Sequence, residues 1–178
     1  MQYPINAIIG DRGAGKTCFM TALAEAYYNE GKSIFTNYKL FNIPHKRITL
    51  QEMLTLPDYL NNSVVLIDEI HIWADAYDFL GKPARALASF ATQLRKRQVT
   101  WYYTTQVFTQ VPKRIRQQTN YFIMAQAMKK KGMFEIQILE KSTYHLINKL
   151  KFDGTPYFDK YDTNEVITVG EEEAENEN

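Results

Sequence analysis

Short β-branched apolar runs alternate along this chain with stretches whose apolar residues recur at helical spacing. Residues 2–9 end in an apolar run that predicts a buried strand, and a glycine-bearing turn leads from it into a helix over 16–30. That helix carries Leu23, Ala26 and Tyr27 on one face, and Gly31 stands where a C-cap belongs. Residues 33–37 predict a second strand, followed by a loop containing Pro44. Thr49 and Glu52 form a capping box that opens a short helix ending before Pro57. The run Ser63-Val64-Val65-Leu66-Ile67 has no polar residue after its first, as a central parallel strand covered on both faces would.

Further on, Pro83 suits a first helical turn, and Leu87, Phe90, Ala91 and Leu94 predict a helix over 83–97. Residues 99–105 predict another strand. The order strand, helix, strand, helix, strand implies a parallel sheet with helices on both faces. After Val111 the pattern changes: 121–126 and 134–141 read as two strands joined by a hairpin turn carrying Lys129, Lys130 and Lys131. Residues 144–152 are expected to form an edge segment, and 154–178 loop and tail.

At 178 residues the chain suits one compact domain, taken as 1–170, with 171–178 a disordered acidic tail. The hydrophobic fraction is 45% and no stretch approaches the ~20 apolar residues of a bilayer span. Residues 1–10 lack the pattern of a secretory signal, so none is expected. A single cysteine, Cys18, excludes an internal disulfide and a cysteine metal cluster, which fits a reducing compartment. The net charge of +1 hides an imbalance, because the tail holds five glutamates and 79–134 holds eleven Lys or Arg and no acid. That profile faces either a polyanion or simply solvent.

The chemistry is concentrated in three places. Gly10-Asp11-Arg12-Gly13-Ala14-Gly15-Lys16-Thr17, between a predicted strand and a predicted helix, satisfies the phosphate-loop pattern, with Cys18 the next residue of the same nucleotide-contacting stretch. Its backbone N–H groups are expected to cradle the phosphates of ATP, Lys16 to reach the β- and γ-phosphates, and Thr17 to help hold Mg²⁺. Asp68 and Glu69 follow the apolar run 64–67 at the carboxyl end of its strand, where open α/β sheets place ligands. Asp68 is expected on the metal side and Glu69 as the base that orients the attacking water; the bland alternative is an exposed acidic pair. Gln106 ends the strand Trp101-Tyr102-Tyr103-Thr104-Thr105 at the same edge and could touch the terminal phosphate or the water.

In this order, a phosphate loop, an adjacent Asp-Glu pair, a basic helix end and a strand ending in Thr-Gln resemble the FtsK/HerA superfamily of nucleic-acid-pumping ATPases. The Arg114-Ile115-Arg116 and Tyr161-Asp162-Thr163 segments look most like the genome-packaging ATPases of membrane-containing icosahedral viruses, with the zonula-occludens-toxin-like filamentous-phage assembly proteins as relatives. The resemblance spans about residues 5–165. It implies a three-layer α/β P-loop NTPase fold (ASCE, RecA-like), with a mainly parallel sheet and an antiparallel C-terminal hairpin. It also implies Mg²⁺-dependent ATP hydrolysis stimulated by double-stranded DNA, in a homo-oligomeric ring, a hexamer by preference. The place of action would be the cytoplasm of an infected host cell, at the capsid packaging vertex, with a capsid or membrane protein as partner.

By resemblance, Arg95 occupies the position of an arginine that completes a neighbour's site, with Arg97 second; otherwise these bases simply complement a helix C-terminus. Arg114, Arg116 and Lys129 to Lys131 become candidates for the pore or the DNA backbone. Read over these 178 residues, no membrane domain or DNA-reading domain of the larger motors is expected, and no transmembrane tail is expected, which counts against the filamentous-phage reading. A GTPase is set aside because Asn148-Lys149-Leu150-Lys151 puts lysine where the guanine-reading carboxylate belongs. A small-molecule kinase would not need Glu69 beside Asp68. His45, His71 and His145 lack zinc-ligand spacing, and Trp73 and Tyr77 read as packing residues ahead of base-stacking ones.

Overall fold

The computed structural model describes residues 3–55, 57–73, 93–94, 96–162 and 165. Most of the helix expected over 83–97 lies outside these residues, as do Tyr77, Arg95 and the acidic tail.

Eight strands form one sheet: β1 (Ile5–Ile9), β2 (Ser33–Thr36), β3 (Lys46–Arg47), β4 (Ser63–Ile67), β5 (Thr100–Thr105), β6 (Tyr121–Ala127), β7 (Met133–Glu140) and β8 (Leu146–Asp153). Their spatial order is β3-β2-β4-β5-β1-β6-β7-β8. Every pair from β3 to β6 is parallel, whereas β6-β7 and β7-β8 are antiparallel. The fold is thus an α/β P-loop NTPase fold with an antiparallel C-terminal hairpin, as the sequence implied. Since β5 lies between β1 and β4, the carboxyl ends of all three strands meet at one edge.

Side-chain alternation divides the core into two layers. On one face Val64, Leu66, Ile8 and Tyr102 pack against helix α1 (Lys16–Asn29). On the other, Val65, Ile67, Ala7 and Trp101 pack against Met53 of helix α2 (Leu50–Thr55) and Ile115 of helix α3 (Lys113–Gln118). The buried stripe of α1 runs through Met20 and Ala24, with Leu23 and Tyr27 half-buried on its flanks and Ala26 exposed, so the face read from the sequence is corrected by the exclusion of Ala26.

Local signals end the elements where the sequence placed them. Gly31, at φ 80°, donates to the Tyr28 carbonyl while Lys32 donates to that of Tyr27, a left-handed C-terminal cap for α1. The Thr49 hydroxyl accepts from the Glu52 N–H at 3.1 Å, and the Glu52 carboxylate accepts from the Thr49 N–H at 2.9 Å, completing the capping box. α3 and the two-residue β3 were not expected from the sequence. The segment expected as coil beyond Gly154 instead contains a 3₁₀ turn (Thr155–Tyr157) and a bridge from Tyr161 to Leu40.

Candidate active site at the carboxyl edge of the sheet

The turn after β1 is shaped by its glycines. Gly13 and Gly15 hold φ 77° and 86°, a region that L side chains enter only at a cost. A Cβ on Gly15 would also stand 2.6 Å from the Phe134 ring, and one on Gly10 2.4 Å from the Ala125 carbonyl oxygen. The loop is therefore pressed onto β6 and β7 and opens α1 at Lys16.

Lys16 is nine-tenths buried, and its ammonium donates to the Gly10 and Asp11 carbonyls at 2.9 and 3.0 Å. Burial lowers its pKa, opposed by the nearby carboxylates of Asp68, Glu69 and Asp11. The Thr17 hydroxyl donates to the Asp68 carboxylate, at 3.0 Å from Oδ2 and 3.2 Å from Oδ1. The first motif and the carboxyl end of β4 thus meet across the end of the intervening β5. Cys18 also lines the cleft, its thiol is buried against the Gly154 carbonyl, and burial pushes its pKa up to about 12.

Two residues that the sequence did not single out hold the acidic pair in place. The Asn37 amide donates to the Asp68 carbonyl at 2.9 Å and accepts from the Asp68 N–H at 2.7 Å, a reciprocal clamp from the end of β2. The Thr104 hydroxyl donates to Asp68 Oδ1 and accepts from the Glu69 N–H at 2.8 Å. Glu69 itself adopts φ 49°, so the chain turns sharply at the residue after Asp68. Asn37 closes its predicted strand and Thr104 is the last residue but one of its own, but position alone does not tell which strand-end residue reaches Asp68.

Desolvation raises the Asp68 pKa, opposed by the hydroxyls of Thr104 and Thr17 and by Lys16, while Glu69 adds to the rise. A hydroxyl and a carboxylate set together in a partly desolvated corner are hard oxygen donors suited to Mg²⁺, which takes few protein ligands and completes its shell with water and phosphate. Among the described residues no group of three or more His, Cys, Asp or Glu gathers at metal-binding distance. Gln106 is exposed at the end of β5, and its amide donates to Glu69 Oε1 at 3.4 Å.

Lys16, Thr17, Asp68, Glu69 and Gln106 line one cleft of about 1010 Å³, at the upper end of the size range of ligand sites. The remaining predicted site residues are dispersed. Arg97 pairs with Asp58 at 3.2 Å and sits just before β5 begins, so roughly 20 Å of strand separates it from Gln106. Arg116 donates to the Val111 carbonyl at 2.8 Å and covers the Phe108 ring, while Arg114 is exposed on α3. Lys129 and Lys130 are exposed on the hairpin turn, and Lys131 lines the cleft. Trp73 is buried in the core, as a packing residue should be. Among the described residues no helix is long and apolar enough to cross a membrane.

Comparison with solved structures places the same fold in proteins of diverged sequence. The N-terminal domain of zonular occludens toxin from Neisseria meningitidis matches with a TM-score of 0.65 at 18% identity, covering 91% of this chain and 100% of that one. The DNA-packaging ATPase of Sulfolobus Turreted Icosahedral Virus matches with a TM-score of 0.57 at 14% identity, covering 84% of this chain and 98% of that one. The genome-packaging NTPase of Sulfolobus turreted icosahedral virus 2, in complex with AMPPCP, matches with a TM-score of 0.58 at 10% identity, covering 84% and 97%. No curated protein matches the sequence. A family model described as an AAA domain matches residues 2–100, which hold the phosphate loop, Asp68 and Glu69, and the chain belongs to that family of P-loop ATPase domains.

Proposed function

We propose that this chain hydrolyses ATP and uses the energy to move double-stranded DNA, without regard to sequence, into a preformed capsid as one subunit of a homo-oligomeric ring, a hexamer by preference. The observation that carries the reading is the contact between Gln106 and Glu69. Gln106 ends β5 beside the hydrolytic base, and the chain runs from it directly through a 3₁₀ turn (Phe108–Gln110) into α3, where Lys113, Arg114 and Arg116 lie. A side chain that feels the terminal phosphate is thus joined to a basic element by a few residues.

In this reading Glu69 orients the attacking water and accepts its proton. Lys16 leaves its two loop carbonyls to neutralise charge on the β- and γ-phosphates, and Thr104 and Asn37 keep the acidic pair in register. Thr17 and Asp68 would hold Mg²⁺, which when bound offsets charge on the phosphate oxygens. Arg95, or Arg97 released from Asp58, would reach a neighbour's site, a contribution worth ~10³–10⁵ in rate where such a finger operates. Arg114, Arg116, Lys129 and Lys130 would grip DNA phosphates. Action at the packaging vertex in the host cytoplasm belongs to the same reading, and the packaging ATPases among the structural matches support the packaging role itself.

A second reading, an ATP-dependent phage assembly or secretion factor or an ATP-gated scaffold that moves no DNA, is favoured by the higher TM-score of the zonular occludens toxin domain. Phosphate release from Mg-ATP, measured with and without duplex DNA, separates the two. The motor predicts stimulation at about 50 mM salt that falls steeply by about 200 mM and ignores DNA sequence. A rate unmoved by DNA at low salt, but raised by a capsid or membrane protein, would favour the second reading.

A further inference from the structure

The cleft runs along the sheet edge to both sides of the phosphate loop. Asp68, Glu69 and Gln106 stand on the β4–β5 side of β1, whereas on the β6–β7 side Met128, Lys131 and Met133 of the hairpin turn line it together with Phe158. The wall on the β6–β7 side is fixed by close packing. The Gly154 N–H donates to the Gly132 carbonyl at 2.8 Å, and a Cβ on Gly132 would stand 2.5 Å from the Thr155 methyl, so the β6–β7 turn is held against the turn after β8.

Two phenylalanines there have different standings. Phe134 is buried beneath Gly15, is stacked on Phe152 with ring centroids 6.2 Å apart, and already has partners around its ring. Phe158 meets Phe134 edge-on, 6.5 Å between centroids and 84° between planes, yet remains 42% exposed. It thus presents exposed ring surface at the rim of the cleft that holds the phosphate loop. A triphosphate whose terminal group faces Glu69 must carry its nucleoside toward the opposite side of the cleft. Aromatic rings and thioethers are the surfaces on which a flat, polarisable base gains most.

We propose that Phe158, flanked by Met128 and Met133, is the seat of the nucleobase, with Lys131 closing the seat from the hairpin. The proposal rests on the ATP-site reading given above. It reassigns one of the three hairpin lysines from DNA to nucleotide, and it makes the C-terminal turn a determinant of nucleotide affinity.

Equilibrium binding of ATP and of inorganic tripolyphosphate to the full chain tests this, comparing the wild type with Phe158→Ala and Phe158→Trp. Phe158→Ala should weaken ATP by roughly 5- to 150-fold, the loss of one base–aromatic stack, and leave tripolyphosphate within about twofold. Phe158→Trp should keep ATP affinity near that of the wild type. Equal ATP affinity in wild type and Phe158→Ala, or equal losses for both ligands, would overturn the seat and leave the phosphate site standing. A wild type that binds neither ligand would overturn the phosphate site itself, and the seat with it.

Discussion

Two carboxylates in one sheet show how differently its halves are built. In the parallel half, burial pushes the Asp68 carboxyl up, and its direct hydrogen-bond partners are the hydroxyls of Thr17 and Thr104. In the antiparallel half, Glu135 is half-buried on β7, where Lys149 at 2.9 Å and Gln137 at 2.7 Å hold its carboxyl below the usual range. A carboxylate that already faces a half-exposed lysine is satisfied, and such a pair near the surface adds little. A desolvated carboxylate lined by neutral hydroxyls is left with a charge deficit that a divalent cation would meet. The parallel half carries that deficit at the edge where three strands end, and the hairpin half contributes packing beneath the phosphate loop together with a basic turn.

Breaking the parallel half should therefore have the largest effect. Glu69→Gln keeps the shape and the contact with Gln106 but removes the proposed base, so ATP affinity should persist while kcat falls by at least ~10²–10³-fold in a phosphate-release assay. Thr104→Val comes next, because it removes one hydroxyl that serves both Asp68 and the Glu69 N–H. It should lower kcat about 10- to 100-fold and cost about 1–3 kcal/mol of stability, measured by denaturant unfolding, since a buried N–H loses its acceptor. At the other extreme, Lys149→Ala in the hairpin half should leave the melting temperature and ATP turnover unchanged within error. A large loss there would mean that the two halves are not as unlike as their burial indicates.

What could be read from the sequence follows the same division. The phosphate loop, the Asp68–Glu69 pair and Gln106 were legible because each joins a short-range motif to an apolar run, and the strand-end rule then brings all three to one edge. The hairpin was legible from its turn. Thr104 and Asn37 were not, because their roles exist only across strands: Asn37 reaches Asp68 from β2, 31 residues earlier in the chain. α3 escaped notice because Ile115 is its one buried residue and leaves no helical period to detect. The placement of Tyr161, bridged to Leu40, and of Glu165, paired with Arg47, depends on partners more than a hundred residues away. Such contacts leave no local pattern.

A crystal structure of the chain with a non-hydrolysable ATP analogue and Mg²⁺ tests the central claim most directly. The account predicts the β- and γ-phosphates wrapped by residues 10–17, the metal between Thr17 and Asp68, and the Glu69 carboxylate facing the terminal phosphorus across one water. A nucleotide bound elsewhere with the 10–17 turn empty, or Glu69 turned into the core, would contradict it.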